Sequence, residues 1–156
     1  MKLPIIFSEF IFTRLVALIL IASVFTTSAN ASKLNTDYFS ISLEFAQVVK
    51  VVATQRPSGS WCFETSIRHN DQGWKHYANE WEVIDLDGKH LGSRRLGHPH
   101  DSEQPFTRGQ CGIKIPENTV KVIVRAKCNQ HGFGGKVIVV NLNADKGKGY
   151  SVNKVN

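Results

Sequence analysis

Residues 96–108, LGHPHDSEQPFTR, set two histidines either side of a proline, His98-Pro99-His100, with Asp101 and Glu103 close behind and Arg108 at the end. Proline fixes its own φ and pushes the preceding residue towards an extended conformation. In an extended chain, residues i and i+2 point to the same side. His98 and His100 are therefore expected to present two imidazoles on one side of a stiffened loop, as a chelating pair requires. The same pattern also serves a tightly packed, hydrogen-bonded loop. Neutral imidazole suits zinc, copper and nickel, and a nearby carboxylate fills a further position or orients a ligand from behind.

Three more histidines stand in comparable company. His69 and His76 belong to RHNDQGWKHY, together with Asp71, Trp74 and Tyr77, and His131 opens the glycine-rich run HGFGG. With His98 and His100 they form the expected ligand set for copper or zinc. The chain has no His-Glu-x-x-His helix, no Cys-x-x-Cys pair and no Gly-x-Ser-x-Gly elbow, and no pair of glycosidase carboxylates stands out. An enzyme would need a base drawn from histidine with Asp71, Asp101 or Glu103, and no motif supplies the nucleophile. The competing reading is a recognition module that binds a glycan, peptide or partner protein through Trp74, Tyr77, Phe133 and the polar loop residues.

The elements that position these side chains read as strands. No window past Ser32 carries helical periodicity, whereas alternation recurs throughout. Residues 46–55 form a first strand, stopped by Arg56-Pro57-Ser58-Gly59. Residues 60–69 form a second, with Trp61, Phe63, Thr65 and Ile67 on one face. Residues 79–86 and 89–96 flank an Asp87-Gly88 hairpin signal. Residues 106–113 follow, then 119–129, where Val120, Val122, Val124 and Ala126 alternate with Lys121, Ile123, Arg125 and Lys127. Residues 135–142 make the last of about seven strands. Short strands at regular spacing predict an antiparallel β-sandwich of immunoglobulin or fibronectin type III style, over 46–143. A jelly roll or small barrel is the alternative.

Strand parity then places the histidines. In such a sandwich successive loops alternate between the two ends. The loops holding His69 and His76, His98 and His100, and His131 are every second connection, so they share one end. His90, beside the Asp87-Gly88 turn, falls at the other. Loops gathered at one end of a rigid sandwich are where such folds carry their sites.

Three cysteines leave one over after a single bridge. Cys62 starts one strand and Cys111 ends its expected antiparallel neighbour, so Cys62–Cys111 is the expected disulfide, provided both face the same side of the sheet. Cys128 lies at the histidine end and continues the inward series from Val120 to Ala126. It reads as a small buried hydrophobe. Alternatively it is a soft thiolate near His131, which with two imidazoles approaches a copper electron-transfer set. The axial methionine of such a set is missing, since the only methionine is Met1.

Residues 1–31 read as a secretory signal peptide: Lys2 and Arg14, an apolar run at 15–25, then Ala29-Asn30-Ala31. The run is short for a membrane span of about 20 residues. Cleavage after Ala31 predicts a periplasmic or secreted chain with no membrane contact. No cysteine precedes Cys62, so no lipid-modified cysteine is expected at its start. Residues 32–45 read as an arm or edge strand. Of the 19 basic and 13 acidic residues, removal of Lys2, Arg14 and Glu9 leaves a net charge of +5. The basic residues form no run of five and do not interleave with aromatics, so no nucleic-acid partner is expected. Residues 144–156, with Asp145-Lys146-Gly147-Lys148-Gly149, read as a flexible tail.

Between Arg68 and Val140 the sequence resembles a group of small, uncharacterised exported bacterial proteins. The resemblance rests on Arg68-His69, Gly73-Trp74, His76-Tyr77-Ala78, Trp81, Leu91-Gly92, His98-Pro99-His100, Glu103-Gln104-Pro105-Phe106-Thr107-Arg108, Ile115-Pro116, His131-Gly132 and Gly134-Gly135. It implies export and brings no activity with it. N-terminal sequencing of exported protein should begin at Ser32; material beginning at Met1 would exclude the leader.

Overall fold

A computed structural model describes residues 40–155. The leader, its cleavage site and residues 32–39 lie outside the described residues. Alternation of apolar and polar side chains builds ten strands: β1 (Gln47–Gln55), β2 (Trp61–Arg68), β3 (Ala78–Ile84), β4 (His90–Arg95), β5 (Phe106–Ile113), β6 (Lys121–Cys128), β7 (Gly132–Phe133), β8 (Ile138–Asn141), β9 (Lys146–Gly147) and β10 (Tyr150–Asn153). One sheet has the order β5-β2-β1-β10-β9. The other runs β4-β3-β6-β7, with β8 also on β6. Among the described residues no helix is long and apolar enough to cross a membrane.

The inner faces follow from the two-residue period. Trp61, Phe63, Thr65 and Ile67 of β2 are buried, as are Trp81 and Val83 of β3 and Val122, Val124, Ala126 and Cys128 of β6. Val120 departs from the expected series. It precedes β6 and is 48% exposed. Side chains from the two sheets form one apolar core, which fixes the strand ends that carry the histidine loops.

Cys62 and Cys111 are bridged, joining β2 to the edge strand β5. Cys62 alternates with buried Trp61 and Phe63, so the bridge lies on the outer face of its sheet. It closes a sequence separation of 49 residues, which on the chain-entropy model stabilises the fold by about 4 kcal/mol. Cys128 is free and buried.

Two segments differ from expectation. The strand expected at 135–142 is shortened to β8, and the two-residue β7 precedes it on the same neighbour, β6. Between them the backbone turns away from β6 and bonds elsewhere: Gly134 O accepts from Ser40 N–H and Lys136 O from Val48 N–H, each at 2.9 Å. The tail expected at 144–156 instead contains two sheet strands. β10 pairs in parallel with β1, from Val51 opposite Tyr150 to Thr54 opposite Asn153, and Val152 is 6% exposed. Its glycines and lysines belong to β9 and to the turn before β10, where Gly149 has φ +81°. Val152→Ala should therefore cost about 1–2 kcal/mol. A chain ending at Ala144 should unfold at a clearly lower urea concentration; an unchanged midpoint would show that β10 adds nothing to the cooperative unit.

Candidate metal centre

Asp71 organises the histidine end. Its carboxylate is fully buried and accepts three donors. Oδ1 takes His69 Nδ1–H at 2.6 Å and the Ala78 N–H at 3.0 Å, and Oδ2 takes the His100 N–H at 2.6 Å. Burial alone would push this carboxyl up. The hydrogen bond from His69 and the backbone N–H groups of His100 and Ala78 outweigh it and hold the group below its ordinary value. Gln104 braces the same two histidines, accepting from His69 N–H and donating to His100 O. Two loops are thus tied through one acid and one amide.

Because Asp71 fixes His69 Nδ1 as a donor, Nε2 is the nitrogen that a ligand role would use, and it lies 3.3 Å from the Glu44 carbonyl oxygen. This is how carboxylates orient metal-binding imidazoles. The His69 ring meets His76 edge-on at 4.6 Å, and His76 meets His131 at 4.8 Å between ring centroids. Donor atoms of His69, His76 and Cys128 lie within 4.8 Å of one another, and all three residues are buried. A second group, Glu44, His76 and His131, meets the same distance and is more exposed. His76 belongs to both. Its Nε2 is buried with no hydrogen-bond partner, while Nδ1 lies 3.8 Å from the Glu44 carboxylate.

The main-chain carbonyl of Glu44 sits among the same donors. It is 3.0 Å from His131 Nδ1, 3.3 Å from His69 Nε2 and 3.4 Å from Cys128 Sγ. Glu44 reaches this position because the segment before β1 is clamped. Gln47, buried, points its amide at the carbonyls of Ser40, Ser42 and Phe45 and accepts from Lys136 N–H. The glycines after His131 let the segment approach: a Cβ on Gly135 would lie 2.1 Å from the Ala46 carbonyl oxygen, and one on Gly134 would strike the Phe45 ring. Sequence reading missed Glu44, since a carbonyl has no side-chain signature; the paired glycines were the available hint.

The remaining expected residues fall around this centre. His98 and His100 belong to neither donor group among the described residues. Their rings are 4.6 Å apart, but His100 is buried and stacked on Phe106 at 3.7 Å, whereas His98 is exposed. Asp101 accepts the Gly73 N–H at 2.9 Å and so ties the same two loops. Glu103 pairs with Arg108 at 3.0 Å. Trp74 is 67% exposed and packs edge-on to Tyr77. Phe133 lies under Arg125 on β6, its ring centroid 4.1 Å from the guanidinium carbon. His90 sits at the start of β4, 3.9 Å from Glu82, away from the cluster.

Similarity to known proteins is narrow. The chain is 38% identical over 106 residues to a protein of Halomicrobium mukohataei described as "Putative lipoprotein", a match covering 68% of this chain. The chain spans about half (52%) of that relative's length. No protein-family model and no solved structure matches the sequence.

Asp71→Ala should destabilise the fold by about 2–4 kcal/mol at neutral pH, because it strands two backbone N–H groups and an imidazole. The carboxyl is held below its unfolded value of about 3.9, so its contribution is complete above that pH and lost as pH falls through the lower folded value. Urea unfolding of parent and Asp71→Asn should therefore differ at pH 7 and converge in acid; a pH-independent difference would contradict this role.

Proposed function

We propose that this domain binds a transition metal, copper or zinc, at its histidine end outside the cytoplasm. His69, His76 and Cys128 are the principal ligands, and His131 and Glu44 lie at the outer side of the site. The observation that carries the reading is the buried His76 Nε2, which has no hydrogen-bond partner and belongs to a residue grouped with a free thiol and an oriented imidazole. A buried imidazole nitrogen without a partner is costly, and a metal ion supplies the partner. Thiolate with imidazole suits both copper and zinc. A trigonal His2Cys set with a weak axial carbonyl suits copper in particular, and the Glu44 carbonyl lies within 3.4 Å of both Cys128 Sγ and His69 Nε2. The Cys62–Cys111 bridge supports an extracytoplasmic location. If the relative's lipoprotein character extends to this chain, its lipid is not carried on Cys62, which is bridged.

One observation favours a second reading. Trp74, two-thirds exposed at the tip of the loop beside Tyr77, is the kind of aromatic that recognition surfaces use. In that case the loops bind a glycan, peptide or protein, and the histidines only brace them.

Titration of the reduced-thiol, metal-free protein with Cu(II) and Zn(II) separates the two. His76→Ala and Cys128→Ala should each weaken binding about tenfold or more, and His90→Ala should not. Affinity should fall as pH drops through about 6.5, where imidazole protonates. A copper–thiolate bond would add an intense visible absorption that Cys128→Ala abolishes. Absence of metal binding at neutral pH, or unchanged binding by His76→Ala and Cys128→Ala, would transfer the assignment to the recognition surface.

A further inference from the structure

A second polar feature lies where the edges of the two sheets meet, between β4 and β5. Register identifies the residues that face it. Arg94 on β4 is opposite Trp81, and Arg108 on β5 is opposite Thr65. Trp81 and Thr65 are both buried on the inner faces of their sheets. Directly opposite residues share a face, so both arginines occupy inward-side positions at the open edge of the sandwich. They line a cavity of about 320 Å³, completed by Arg95, His98 and His100.

The charge of this cavity is lopsided. Three guanidinium groups and two imidazoles line it, and among the described residues the ion pair made by these arginines is Arg108 with Glu103, at 3.0 Å. Arg108 also lies over the Phe106 ring, 5.6 Å from its centroid, and His100 stacks on that ring at 3.7 Å. Phe106 is thus a rigid platform that holds a cation and an imidazole in fixed positions. His100 is 96% buried by its 4% exposure, and neither of its ring nitrogens has a hydrogen-bond partner. Its nearest acid, Asp71, is 4.0 Å from Nδ1 and already accepts three other donors. Burial, then the charges of Arg108 and His98, push the His100 imidazole below its ordinary pKa. A neutral imidazole carries one N–H, which in His100 has no acceptor, and an oxyanion provides a shared acceptor to that N–H and to the neighbouring guanidinium groups.

We propose that this cavity binds a small ligand through an oxyanion group, a phosphate, sulfate or carboxylate, held by Arg94, Arg108 and His100. The volume is at the small end of ligand sites, which suits one anionic headgroup or a single acidic sugar ring. Glu103 is the internal competitor: it occupies Arg108 in the free protein and must share it when the anion arrives. This assignment is independent of the metal centre, which uses other ligands.

The test is a calorimetric or NMR titration of metal-free, disulfide-bonded protein with inorganic phosphate, sulfate and glucuronate. Salt is kept at about 10 mM, where charges act over about 30 Å. Saturable binding of at least one of the three is expected. Arg94→Gln and Arg108→Gln should each weaken it about tenfold or more, the loss expected for a charge-assisted hydrogen bond. Glu103→Gln should strengthen it, an effect that a merely structural role for the Glu103–Arg108 pair does not predict. A preference for phosphate or sulfate assigns an esterified ligand, and a preference for glucuronate assigns a carboxylated sugar. No saturable binding by the parent, or equal binding by Arg94→Gln and Arg108→Gln with native circular dichroism, overturns the proposal.

Discussion

A single buried carboxylate sets the geometry of the histidine end. Asp71 lies in the β2–β3 loop, yet it accepts from the ring of His69, from the first residue of β3 and from the backbone of His100 in the β4–β5 loop. Removing a carboxylate from water is expensive, and charge-assisted hydrogen bonds from three sides offset that cost. The same bonds define which nitrogen of His69 is free and where His100 begins its turn towards Phe106. The donor group and the basic cavity are therefore built outward from opposite sides of one acid.

The donor group itself is assembled from parts with different rigidity. His69 and Cys128 sit at or just beyond the ends of β2 and β6, above a close-packed core, so their positions follow from the sheets. Glu44 belongs to the segment before β1, and its place depends on the Gln47 amide and on the absence of side chains at Gly134 and Gly135. His131 lies in the tight turn after β6 and is followed by Gly132, which takes φ +68°. An ion at His69 and Cys128 would meet positions set by the sheets, whereas Glu44 and His131 are positioned by loop contacts.

Much of the framework was legible because alternation is a local property. The seven expected strands agree with the observed ones to within a few residues, apart from the last. Strand parity brought five histidines to one end and left His90 outside, and the Cys62–Cys111 bridge followed from antiparallel neighbours. What sequence could not convey depends on long-range pairing. β10 looks like a tail because the lysines and glycines that precede it lack a pattern, and parallel pairing with β1 buries Val152. The i, i+2 rule put His98 and His100 side by side, but His100 is buried in a stack on Phe106 and joins neither donor group among the described residues. Cys128 was visible as an inward residue at the correct end. That it would share donors with His69 and His76 required the loops to be folded.

The most direct measurement of the central claim is X-ray absorption spectroscopy on the protein loaded with one equivalent of zinc. A Cys128–His69–His76 site gives a sulfur scatterer at about 2.3 Å together with imidazole nitrogens at about 2.0–2.1 Å, with the sulfur lost in Cys128→Ala. A coordination sphere of nitrogen and oxygen alone, unchanged by that substitution, would contradict it.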